Sequence, residues 1–189
     1  MASLHGAYQA QALHELPRVS DLYKLCTKLC RELAQSEHSA TVHTRREARR
    51  LGPVPPAAAL LAIAQHADSQ RPRFESLMVK RQPVGLRLGR GFGELFSRLR
   101  HALFDRLIDT ERSFRGTLLG LRHGVDVVRL LREVALRTGD THLMRFCDEW
   151  LDERHCHLEH AEQTLAYFAE QPARALQSGL RIALTAGRN

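Results

Sequence analysis

The stretch from Glu111 to Asp140, ERSFRGTLLGLRHGVDVVRLLREVALRTGD, constrains the fold more than any other part of the chain. It holds helical spacing throughout and carries apolar residues on more than one face: Leu118, Leu119, Leu121, Val125, Val127, Val128, Leu130, Leu131, Val134, Ala135 and Leu136. A helix apolar over so much of its circumference is usually enclosed by others. The pattern therefore predicts the central member of a helical bundle. Gly139 suits a helix C-terminus, and Asp140 or Thr141 suits the next N-cap, so the following helix should fold back antiparallel.

Three glycines sit inside this stretch at every fourth position, Gly116, Gly120 and Gly124. Each costs up to about 1 kcal/mol relative to alanine in a helix interior. A compensating close approach of another helix, from the same chain or a partner, is the reading they favour, and a bend or break of the helix is the alternative.

The remaining segments supply the other helices. Leu22, Cys26, Leu29 and Leu33 open a helix after Ser20 or Asp21, and it should run through SEHSATVHTRREARR to Gly52. Its second half has few apolar residues, which predicts a surface position, a projection beyond the core or a partner. Pro55 and Pro56 suit the first turn of the next helix, which Pro72 should kink or divide. Residues 82–93 are dense in glycine and read as a loop or crossover. Phe96, Leu99, Leu103, Leu107 and Phe114 then resume helical period. A last long helix is expected from His142 to Glu170, with Met144, Cys147, Leu151, Leu158, Ala161, Leu165 and Phe168 as its seam. Arg154 lies on that seam and should pair with a carboxylate of a neighbouring helix or reach the bundle edge.

These segments predict an all-α, antiparallel bundle of four to five main helices, compatible with ferritin-like topology lacking an intact di-iron site. Residues 1–17 form an N-terminal arm, 18–170 the bundle and 171–189 a C-terminal tail, loose or ordered by a partner. With 189 residues the chain needs no staple, and its four cysteines form no CxxC pair. No run approaches the ~20 apolar residues of a spanning helix. The N-terminus does not read as a secretory signal. A cytoplasmic protein with reduced thiols and no membrane span is expected.

Possible sites follow from charge and ligand chemistry. The net charge of +7 is arginine-rich and uneven, and it suits acidic partners or self-association between unlike faces. Arg45, Arg46, Arg49 and Arg50, extended by Arg81, Arg87 and Arg90, could contact an anion or nucleic acid, although no aromatic residues are interleaved with them. On the 142–170 helix, Glu149, Glu153, Cys156 and His160 share one face and include metal-binding groups. That face lies opposite the apolar seam, and the single Asp152 to His155 spacing falls short of the two Glu-x-x-His motifs of di-iron bundles. There is no nucleophile motif, and no cofactor is implied. The leading expectation is a non-enzymatic helical interaction or scaffold protein that self-associates or binds a protein partner. A metal-binding bundle and a nucleic-acid binder are the alternatives.

Overall fold

The computed structural model describes residues 19–79 and 109–178. The N-terminal arm, the glycine-rich stretch 82–93, the helix expected before Asp109, residues 179–189, and Arg81, Arg87 and Arg90 lie outside the described residues. Those that are described form an all-α bundle of four long helices: α1 (Val19–Leu51), α2 (Pro55–Val79), α3 (Thr110–Thr138) and α4 (Thr141–Gln163), followed by the short α5 (Ala166–Glu170) and α6 (Pro172–Ala175).

Local chemistry sets the turns. Gly52 takes a left-handed φ of 77° between α1 and α2, and Gly139 takes 70° between α3 and α4, a conformation that costs glycine least. The Asp140 carboxylate accepts a hydrogen bond from the Leu143 amide at 3.0 Å, capping α4. Both tight turns make their helix pairs antiparallel.

The long helices stand at the corners of a square. α1 packs against α2 and α3, and α4 packs against the same two. Arg50 at the end of α1 meets Thr110 at the start of α3, while Gln70 and Phe74 of α2 meet Glu153 and Phe146 of α4 in reverse order. The directions are therefore up, down, down, up, with α2 ending and α3 beginning at opposite ends of the bundle.

Several expectations change. α3 is not enclosed: Phe114, Leu118, Leu121, Val125, Val128 and Leu131 are buried, but Leu119, Leu130 and Leu136 are exposed. A corner helix has two neighbours, and its outer arc faces away from both. α1 does not leave the core in its polar half. Glu37, Ala40, Thr41, Thr44, Glu47 and Ala48 are all buried there, and Thr41 donates to Asp68 of α2 at 3.1 Å. Pro72 does not divide α2. It is exposed, on the side where a carbonyl deprived of its donor can be solvated.

The last long helix stops earlier than its seam implied. At Thr164 the amide is shared between the His160 and Ala161 carbonyls, at 3.3 and 3.2 Å, and the hydroxyl also donates to Ala161. α5 then places Phe168 against Phe114, with ring centroids 5.3 Å apart. Residues 171–178 are ordered within the chain itself. Thr110 donates to the Gln177 carbonyl from both its amide and its hydroxyl, at 3.0 and 2.7 Å, and Asp109 bridges Ser178.

Candidate functional site

Two places in the bundle concentrate polar chemistry, and they are built differently. The first is in its centre. Arg154 of α4 is only 1% exposed and directs its guanidinium across the core to Glu37 of α1, with Nη2 2.8 Å from both carboxylate oxygens. Trp150 donates from its indole nitrogen to the same carboxylate at 3.3 Å and lies under the guanidinium, 4.6 Å from its ring centroid. Arg154 Nε donates to His66 Nδ1 of α2 at 3.1 Å.

That last bond fixes the histidine. With Nδ1 accepting, the proton of a neutral imidazole sits on Nε2, which lies 3.1 Å from a Glu153 oxygen but is poorly aligned with it. Burial, the Arg154 charge and His157 push the His66 pKa down to about 3. Burial also raises that of Glu37, against the pull of Arg154. The group is a neutralised ion pair with a neutral histidine beside it.

A metal fits poorly here. Ferritin-like di-iron proteins converge carboxylates and Glu-x-x-His motifs on the bundle axis, whereas this axis holds a guanidinium and one carboxylate already bound to it. A cation would face Arg154, and His66 offers no free lone pair while Nδ1 accepts and Nε2 is protonated. Of the four residues on α4 with metal-ligand chemistry, Glu149 pairs with Arg73 and Glu153 accepts from Gln70 at 2.9 Å. Cys156 and His160 face outward. Among the described residues, no group of three His, Cys, Asp or Glu side chains could hold a metal ion. The four do not form one site.

The arginine cluster on α1 is likewise divided. Arg50 folds onto Glu47, with Nε donating to Oε2 at 2.9 Å, and reaches Thr110 of α3, while the Ser113 hydroxyl donates to the same Glu47 oxygen at 3.0 Å. Arg45 pairs with Asp68 of α2, and Arg49 donates to the Arg45 carbonyl at 3.3 Å. Arg50 is thus committed inside the fold, and Arg45 and Arg49 hold local structure.

The second place is a groove of about 910 Å³ between α1 and α3. Ser36, Ser39 and Arg46 contribute from α1, and Arg112, Gly116, Leu119, Gly120 and Arg122 from α3. The three glycines have different settings. A side chain at Gly124 would meet the Ser36 hydroxyl at 2.5 Å, so this position is where α3 comes close to α1. At Gly116 and Gly120 nothing among the described residues lies within 4 Å of where a Cβ would be. α3 nevertheless runs through all three as one helix. Close packing within the chain is confined to Gly124, and the other two expose backbone along the groove.

Sequence patterns did not single out Glu37 or Gln70, because they look for apolar periodicity; His66 stands out in the sequence only as a possible ligand on its helix, beside Asp68. Each lies on the buried side of its helix: Glu37 follows Leu33 by four, and Gln70 follows Ala67 by three. Extending the seam by position regardless of polarity would have found them.

Comparison with protein-family models, curated proteins and solved structures gives no match. The class that fold and site define is therefore a four-helix bundle with a closed polar core and an open lateral groove.

Proposed function

We propose that the chain is a non-enzymatic helical-bundle interaction or scaffold protein that binds through the groove between α1 and α3. One observation carries this reading: Gly116 and Gly120 leave helix backbone uncovered beside Leu119, which is 67% exposed. Glycine in such a place forgoes helix stability of up to about 1 kcal/mol per residue without any neighbour among the described residues to compensate. Binding of another protein surface supplies the missing contact. Self-association and capture of a different protein are the two forms such an interaction takes.

The other readings draw less support. In the centre, Glu37 is bound by Arg154 and Trp150 and His66 accepts from Arg154, and Arg154 occupies the axis where a metal would sit. On α1, Arg45 and Arg50 have carboxylate partners, which weakens the phosphate-binding face expected of a nucleic-acid binder.

Native mass spectrometry of the purified full chain tests the proposal. The expected spectrum contains protein complexes, homomeric or with a co-purifying chain, that dissociate in Gly116→Leu/Gly120→Leu. A stoichiometric metal or small cofactor on a strictly monomeric chain would count against it.

A further inference from the structure

Resting on the reading of the α1–α3 groove as a docking surface, we infer that its occupant is an acidic amphipathic helix of another protein, not a second copy of this chain. The shape argues for a helix. The α3 wall runs from Arg112 to His123, twelve residues, or about 17 Å at 1.5 Å per residue. That length takes roughly three turns of a docked helix. Gly116 and Gly120, with Ser36, Ser39 and Thr117 beside them, keep the walls low enough for another backbone to approach. An apolar anchor row on the ligand, spaced i, i+3, i+4 and i+7, would meet Leu119 and Leu165.

The charge of the walls selects the sign. α3 presents Arg112, Arg115 and Arg122 to the groove with no acid among its lining residues. Arg115 and Arg122 are held at the rim by Glu111 and Glu162, at 2.6 and 2.8 Å, and Arg112 is exposed without an ion-pair partner among the described residues. On the α1 wall, Glu32 pairs with Lys28 at 3.6 Å and Glu47 is already bound to Arg50 and Ser113. An occupant carrying Asp and Glu on the flanks of its apolar row complements this rim.

A second copy fits worse in either arrangement. Across a two-fold axis, α3 against α3 sets the three arginines against their own counterparts. Head to tail, the outer face of α4 offers Asp152 and Glu159 but no exposed large hydrophobic residue to fill the floor, while on α3 the exposed Asp126 and Glu133 near Leu130 are already paired with Arg129 and Arg132, at 3.3 and 3.2 Å.

The test is a phage-displayed library of roughly 18-residue helices selected against the full chain, with Gly116→Leu/Gly120→Leu as counter-selection. Because neither added side chain starts within 4 Å of a neighbour among the described residues, the variant should fold while its groove is filled. The expected winners carry an apolar row flanked by Asp and Glu. Their synthetic peptides should lose about tenfold or more in affinity for the double variant and for Arg112→Glu, and should weaken as salt is raised. Winners that are basic or uncharged, or that bind the double variant equally, would overturn the inference. A homodimer that the double variant converts to monomer would also overturn it while leaving the interaction reading intact. If selection yields no binder and the full chain is a monomer without protein partners, both fail.

Discussion

The centre of the bundle and the groove on its side use polar residues in opposite ways. In the centre, Arg154, Glu37, Trp150 and His66 come from three helices and bind one another in the core, with only the second ring nitrogen of His66 left without a hydrogen bond among them. In the groove, Arg112, Gly116, Gly120 and Leu119 all come from α3 and have little among the described residues to satisfy them. The first arrangement holds α1, α2 and α4 in register. The second costs helix stability and leaves surface exposed, which is what a binding surface requires and a core does not. Polar residues alone therefore do not mark the site: their state of completion does.

The largest effect should come from opening the complete region. Arg154→Ala removes one partner of a buried pair and strands the Glu37 carboxylate, a change that costs about 3–5 kcal/mol. Chemical denaturation should show a large drop in midpoint. Arg154→Met/Glu37→Met, which removes both charges, should recover most of it.

Acid should attack the same region through His66. Its pKa is about 3 in the fold against an ordinary 6.5, so below pH 6.5 the unfolded chain takes up a proton that the folded chain refuses. Stability from this group is complete above that pH and is lost as pH falls from 6.5 toward 3, by up to ~1.4 kcal/mol per pH unit. His66→Gln keeps an acceptor for Arg154 and should flatten the denaturation profile in that window. An unchanged slope would show that His66 is not the group responsible.

Smaller effects should separate the glycines. Gly124→Leu drives a side chain into Ser36 and should cost about 1–3 kcal/mol by overpacking. Gly116→Ala and Gly120→Ala should instead each stabilise by up to ~1 kcal/mol, since they gain helix propensity with no clash. Thermal melts of the three single variants would show whether the comparison between closed and open positions holds. Equal destabilisation at all three would break it.

Much of the architecture was legible in the sequence because it is written in local chemistry. Gly139 and Asp140 specified the turn between α3 and α4, and Gly52 with Pro55 and Pro56 specified that between α1 and α2. Arg154, on an apolar seam, announced a carboxylate from a neighbouring helix. Which carboxylate it was could not be read, because Glu37 lies 117 positions away in a stretch that is polar by composition. The same limit explains α3. Its leucines recorded hydrophobicity, but only the square of helices decides that Leu119, Leu130 and Leu136 fall on the outer arc. Three equally spaced glycines likewise looked alike until α1 was placed beside one of them.

The bond between Glu37 and Arg154 also bears on how the chain reaches its fold. Helical turns and the hairpins α1–α2 and α3–α4 close through neighbours in sequence, and such contacts form quickly. The ion pair forms only once the two hairpins have met, because one partner belongs to each. It therefore acts as a lock on an assembled bundle and not as a guide to assembly. Interactions completed after the rate-limiting step slow unfolding more than they speed folding, so an Arg154→Met/Glu37→Met variant that changed the unfolding rate alone would place the pair's formation after that step.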